Sequence, residues 1–524
     1  MIRRPWFPLS SRPAWVLALA LAGALLLSCP AGGTDRPGEI LVYPDGRGNW
    51  RRASSFWEIP MEWRDQVKLV AQVARVSAFD KVVLSSGRSV HLLGLGLPDP
   101  LVLPAGFAER AREKLEELTR GKWVHVEPED SSELPGGGSL EGYVWLPGGV
   151  CANEELLREG RALLFLERPG LRRRDPLLAA ARKAQKARAG WFGRKGCTRP
   201  HTGPLPFLKG GVLGLYYRDP DLSYEKHLAD IQAAGAGWVS FLFTGFLDRA
   251  DSTYVDRFGP KTVRDDRLEK TTRRAREMGL QVMYLPIVHL RHTGEDDWRG
   301  SLRPKDPNAW FSSYMDFILH YADLAQAWGV GIFSGGSEFC SLEARESMWR
   351  WVFRNLRGRF AGYLTYSFNW DHAEEPRFQD MLDFVGMTAY WSLTKKNDPT
   401  LEELTGSWRK IRKDLEGLYR RLKKPIVFTE LGYPSQDGAN KDPWNYVMNP
   451  ANVDLAEQAD CLEAFARVFR DPGFLMGVFF FDWFEKGGTR DSSYSPQGKP
   501  ALEVIRRFFR QAPAAWIPPK PGRR

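Results

Sequence analysis

Pro425-Ile426-Val427-Phe428-Thr429-Glu430-Leu431-Gly432-Tyr433 is a short apolar run of strand type that ends on a glutamate and then breaks at glycine. A second such run leads into Gly335-Gly336-Ser337-Glu338-Phe339. Each carboxylate is therefore expected at the C-terminal tip of a strand, the end at which a β/α barrel carries its chemistry. Glu338 and Glu430 lie 92 positions apart, and a barrel of about 250 residues spends roughly 31 on each of its eight units. That spacing is close to three units. It puts Glu338 on a fourth strand and Glu430 on a seventh, facing each other across the barrel mouth.

The surrounding chain alternates in the way this requires. Strand-type runs fall at 211–217, 238–243, 281–288, 330–334, 362–368, 384–390, 426–430 and 477–482, with helical patterns between them such as 224–234, 266–278, 308–328, 342–357, 401–422 and 454–469. Eight apolar strands in βα alternation predict parallel strands buried on both faces, closed into a (β/α)8 TIM barrel over residues 208–510. An open doubly wound sheet is the competing α/β arrangement. No glycine-rich nucleotide fingerprint follows the first strand to support it.

Two carboxylates facing across a cleft suit glycoside hydrolysis: one is protonated and serves the leaving oxygen, the other is ionised and attacks the anomeric carbon. A lone glutamate at a strand end is as often bound to backbone amides or to arginine; a pair at this spacing is harder to explain that way. Other strand tips add a second layer. His289 ends the third strand and leads to Asp297-Trp298-Arg299-Gly300, Asn369-Trp370-Asp371 ends the fifth, Thr388-Ala389-Tyr390-Trp391 the sixth and Asp482-Trp483 the eighth. A sugar ring presents a flat C–H face and a rim of hydroxyls, so a glycan cleft needs aromatic platforms interleaved with polar side chains. No metal ligands and no organic cofactor are expected.

In combination, Gly335-Gly336-Ser337-Glu338-Phe339, Leu364-Thr365-Tyr366 with Asn369-Trp370-Asp371, and Phe428-Thr429-Glu430-Leu431-Gly432-Tyr433-Pro434-Ser435 with Pro443-Trp444 resemble glycoside hydrolase family 113. The resemblance covers nearly all of residues 210–510. It implies a retaining β-1,4-mannanase with Glu338 as acid/base and Glu430 as nucleophile. It further suggests that Trp298, Arg299, Asn369, Trp370, Tyr390 and Trp483 line the sugar subsites. From its strand-tip position His289 is expected as a further substrate-binding residue, and Tyr390 is placed to hold Glu430. Many members of the wider clan carry asparagine immediately before the acid/base, where its amide bonds the sugar 2-hydroxyl. Ser337 stands there in this chain and reaches less far. A polysaccharide-binding barrel without turnover is the alternative from a different class.

Residues 62–196 form a smaller β-rich region with strands at 67–78, 81–84, 89–95, 123–127 and 140–146 and helices at 106–119, 153–159 and 176–189. That order predicts an OB-type barrel. Val82-Val83-Leu84, Gly87-Arg88, His91-Leu92-Leu93-Gly94, Asn153-Glu154-Glu155-Leu156-Leu157-Arg158-Glu159-Gly160-Arg161-Ala162 and Ala187-Arg188-Ala189-Gly190-Trp191 resemble the staphylococcal-nuclease-like (thermonuclease) family. Asp80 and Asp99 fall on acidic positions of that family. Gly96 falls on a second calcium ligand, His91 on one catalytic arginine and Pro135-Gly136-Gly137-Gly138 on the other. The resemblance therefore implies a scaffold without nuclease chemistry, serving as spacer or ligand-binding module; a calcium-dependent secreted nuclease is the disfavoured reading.

At 524 residues, 43% hydrophobic and 26% charged, the chain suits two or three soluble domains. Its net charge of +10 is spread along the chain, which is weak grounds for a polyanion partner, and no nucleic acid is expected. Arg3, Arg4 and Arg12 precede an apolar run at 14–27 that ends in Leu26-Leu27-Ser28-Cys29. This resembles a bacterial lipoprotein signal, with Cys29 the acylated residue anchoring an exported monomer to an outer-surface membrane; ordinary secretion is the alternative. Residues 1–29 are thus read as a signal peptide, 30–61 as a linker and 511–524 as a disordered tail. In an oxidising compartment Cys151 and Cys197, both in the front domain, are disulfide candidates, whereas Cys340 and Cys461 are expected as free thiols.

Overall fold

The strand Trp238–Leu247 is buried along all ten of its residues, which only a strand covered on both faces can be. It is one of eight parallel strands that close on themselves: β10 Leu208–Gly214, β11 Trp238–Leu247, β12 Gln281–Leu290, β13 Ile332–Ser337, β14 Tyr363–Phe368, β15 Val385–Thr388, β16 Ile426–Leu431 and β17 Leu475–Phe480. β17 returns to β10 with Leu208 opposite Gly477. This computed structural model describes residues 38–517 apart from 137, 202–205, 217–222, 260, 373–377, 446, 448 and 485. The expected signal peptide and Cys29 lie outside the described residues. Two units divide between Gly193 and Arg194.

In the barrel unit, sequence signals end the helices where physics requires. Asp306 accepts from the amides of Asn308 and Ala309 (2.8 and 3.1 Å), Pro307 takes the first helical position, and Gly329 at φ 74° closes the helix Pro307–Trp328. The connection from β14 to β15 carries only the 3-10 turn Gln379–Met381 among the described residues. Leu208, Trp238, Ile332, Phe384 and Met476, all at or near strand starts, share one apolar cluster with Trp516. The expectation of a disordered tail at 511–524 is corrected for residues 511–517, beyond which the chain lies outside the described residues: helix Pro500–Gln511 is followed by a bridge from Ala515 to Pro206, and the Trp516 indole donates to Gly473 O at 3.0 Å. Its large apolar ring, buried at the foot of the barrel, outweighs the prolines and arginines around it.

The front unit holds β1 Glu39–Pro44, β2 Trp50–Ala53, β3 Lys68–Ala78, β4 Lys81–Leu84, β5 Ser89–Leu92, β6 Gly94–Gly96, β7 Trp123–Pro128, β8 Leu140–Trp145 and β9 Leu163–Phe165. β3, β4, β5, β8 and β7 form a circuit that closes by pairing of β7 with β3, and β5 runs parallel to β8. The linker expected at 30–61 is corrected from Glu39 onward. β1 and β2 form a hairpin that extends this sheet, and the polar Asp45-Gly46-Arg47-Gly48-Asn49 is its turn, with Asp45 Oδ1 accepting from the amides of Arg47 and Asn49. Asn153, fully buried, accepts from Val144 N and donates to Leu93 O and Gly142 O, tying helix Ala152–Arg158 to the barrel. Cys151 and Cys197 are both free thiols and fall in different units, which corrects the disulfide expectation; Cys197 follows the Gly190–Gly193 turn, beyond the front unit.

Candidate active site

Glu338 follows directly on β13, the fourth barrel strand, and Glu430 lies on β16, the seventh. The chain reaches Glu338 through a register shift between Ser334 and Ser337. Gly335 and Gly336 allow it: a Cβ on either would stand 2.7 Å from Phe353 or 2.6 Å from Tyr366. Glu338 itself takes φ 54°, a left-handed conformation that costs a non-glycine residue about 1 kcal/mol or more and concentrates at functional sites. Its amide donates to Ser367 O at 2.8 Å, and the Phe339 amide to Tyr366 Oη at 2.9 Å, so the turn is fixed from both sides.

Both carboxylates are buried, and they share neighbours. Thr388 pairs with Glu430 across β15 and β16, while its hydroxyl donates to Glu338 Oε1 at 2.8 Å. Arg299 binds Glu338 Oε2 through Nε at 2.9 Å and Nη2 at 2.5 Å. Glu430 Oε2 accepts from Tyr390 Oη at 2.8 Å; its Oε1 is buried without a hydrogen-bond partner. Burial pushes the Glu430 carboxyl well above the usual carboxylate range, and the charge of Glu338 pushes it further. Arg299 and the Tyr390 hydrogen bond pull it back, and buried Asp482 raises it. The site thus disfavours two simultaneous negative charges, the condition under which one carboxyl acts as acid and its neighbour as base or nucleophile.

Around the pair, Trp370 stacks on Trp444 with ring centroids 6.0 Å apart and meets Trp391 edge-on at 6.3 Å. Trp298 and Trp444 are 40% and 47% exposed, which leaves ring faces open for a ligand. His289 is exposed near the end of β12. Asn369 is half-buried; its amide donates to Asp371 Oδ1 at 2.6 Å and its Oδ1 lies 3.3 Å from the Thr388 hydroxyl. Ser337 is fully buried with its hydroxyl unpartnered.

Trp483 corrects an expectation. Its side chain is fully buried, and its Nε1 would stand 2.5 Å from a Cβ on Gly211, so it packs as wall and offers no open face to a sugar. Arg299 is also placed differently from a simple subsite residue, because its guanidinium is engaged by Glu338. The sequence singles out Thr388 only as part of a strand tip and gives no sign of its contact with Glu338.

Paired, mutually repelling carboxylates at the mouth of a (β/α)8 barrel lined by open indoles define a glycoside hydrolase. Residues 216–499 match the model of Glycoside Hydrolase Family 113, more than half of the chain, and the chain belongs to that family. A solved GH113 β-1,4-mannanase complex aligns at 25% identity and a TM-score of 0.53, covering 58% of this chain and 99% of its own. A GH113 β-mannanase from Alicyclobacillus acidocaldarius in complex with ManMIm aligns at 29% identity and TM-score 0.52, covering 58% and 98%. Comparison with curated proteins gives no match.

The Tyr390–Glu430 contact carries an expected result. Losing one hydrogen bond to a charged group costs about 1.5–3 kcal/mol. Tyr390→Phe should therefore lower kcat by about 10- to 100-fold while KM changes little, read from steady-state kinetics.

Proposed function

We propose that this glycoside hydrolase cleaves β-mannan with retention of configuration, with Glu430 as nucleophile and Glu338 as acid/base. The observation that carries this reading is the asymmetry of Glu430: Oε2 is held by Tyr390, and Oε1 is left unpartnered. A nucleophile needs one fixed oxygen and one free to attack, and the family's solved mannanases supply the substrate class. In the first step Glu430 Oε1 bonds to the anomeric carbon while Glu338 gives its proton to the departing oxygen; in the second, ionised Glu338 takes a proton from water as the water displaces Glu430. Two hydrogen bonds from Arg299 to Oε2 hold the Glu338 carboxylate in place for that second step. The purified chain should release reducing ends from β-1,4-mannan, and proton NMR of the first product formed should show the β-anomer. An initial α-anomer, or activity on another β-glycan and none on mannan, would refute the mechanism or the substrate respectively.

The front unit fits a non-catalytic module in this proposal. Its closed five-strand circuit supports an OB-type barrel. His91 stands 3.2 Å from Asp80 where the nuclease-like family would place arginine and a calcium ligand. Export through the leader, with a lipid on Cys29, would bring the barrel to extracellular polysaccharide.

A further inference from the structure

The turn that carries Glu338 continues into a second cluster of chemically active side chains that the glycosidase reading does not use. After Phe339 the chain forms the 3-10 turn Cys340–Leu342, and the Glu343 amide donates back to Phe339 O at 3.1 Å. Residues three apart in such a turn eclipse, so Cys340 and Glu343 project to one side. His372 comes from the tip following β14, where its amide donates to Asn369 O at 2.9 Å. A sulfur, a carboxylate oxygen and a ring nitrogen from these three residues lie within 4.8 Å of one another.

A second observation concerns Glu343 alone. It is 2% exposed; its Oε1 accepts from Tyr366 Oη at 2.8 Å, and its Oε2 is buried with no hydrogen-bond partner. A buried carboxylate oxygen without a donor is costly, and a bound cation is one of the few arrangements that removes the cost. Asp371 adjoins the cluster: its Oδ1 is 3.9 Å from His372 Nε2.

We propose that Cys340, Glu343 and His372 bind a zinc ion, with Asp371 or water completing the shell. Thiolate, imidazole and carboxylate together suit a borderline-soft divalent ion rather than calcium or magnesium, which take oxygen ligands. Tetrahedral zinc with Zn–S of about 2.3 Å and Zn–N of about 2.0 Å sets ligand atoms about 3.5 Å apart. Starting from separations of at most 4.8 Å, the ligands need draw in by only about 1.3 Å. Binding exchanges the Cys340 S–H bond for an S–Zn bond and releases the proton to solvent. The ion would clip the tip of β13 to the tip of β14 two residues from Glu338, fixing the turn that holds the acid/base. This assignment does not depend on the sugar substrate.

The test uses the full chain stripped of metal with a chelator. Zinc titrated by calorimetry should bind with a stoichiometry of one, and cobalt should produce thiolate-to-metal charge-transfer absorption. Cys340→Ser should abolish that absorption, and His372→Ala should weaken zinc binding by about tenfold or more. The His372 side chain is 41% exposed, so its removal leaves the core intact, and this variant decides the assignment even where Cys340→Ser fails to fold. Absence of the charge-transfer band from the parent chain, or zinc binding unchanged in His372→Ala, would overturn the assignment. Loss of mannan hydrolysis with zinc binding intact would instead count against the proposed function.

Discussion

Glu430→Gln is expected to lower kcat/KM on β-mannan by about 10⁴-fold or more, because it removes the atom that forms the bond to the anomeric carbon. Glu338→Gln removes a proton donor, and the loss should be smaller, about 10²- to 10⁴-fold, and smallest for substrates whose leaving group needs no proton. The two variants can be told apart by chemistry as well as size. With Glu338→Ala, azide in solution should intercept the glycosyl-enzyme and give a β-glycosyl azide. With Glu430→Ala, azide attacks in place of the missing nucleophile and should give the α-product. Product configuration by NMR therefore assigns each role separately. The same β-azide from both variants would refute the assignment, as would parental activity in either glutamine variant.

The sequence discloses the position of these glutamates and conceals what holds them. An apolar run that stops at a glutamate and a glycine marks a strand tip because a strand buried on both faces reads locally as an unbroken apolar run, and the tips of β13 and β16 are where the two runs end. Which side chain meets which across strands depends on register. Here it shifts between Ser334 and Ser337 and again between Phe428 and Leu431. No pattern in the chain encodes that Thr388 donates to Glu338, or that Arg299 pairs with Glu338 in preference to Glu430. The same limit explains Trp483: a tryptophan at a strand tip reads as a sugar platform, and only the absence of a side chain at Gly211 lets it sink into the wall. In the front unit, Asp45-Gly46-Arg47-Gly48-Asn49 has the composition of a linker and of a hairpin turn alike, and the apolar Leu41 and Ala53 on either side, both buried, decide for the hairpin.

Arg299 is the cation on which the charge balance of the pair turns. Arg299→Met should leave the buried Glu430 carboxyl with the repulsion of Glu338 and no compensating charge, which raises it further toward the protonated form. Glu430 must be ionised to attack, so the acidic limb of the kcat/KM profile should move to higher pH. The loss should reach about 10²-fold at acidic pH and shrink as pH rises. Stability should move the opposite way. Burial has already raised the Glu430 carboxyl above its unfolded value, so its contribution to folding is fully present below the ordinary carboxylate range and is lost as pH rises through the folded value. In Arg299→Met that loss should deepen, giving a Tm that falls more steeply with pH than in the parent. Glu430→Gln has no charge to desolvate and should flatten the slope and melt above the parent at alkaline pH. A profile of Tm against pH that is parallel in all three proteins would show that Arg299 and Glu430 are not electrostatically coupled, and the proton assignments built on that coupling would fall with it.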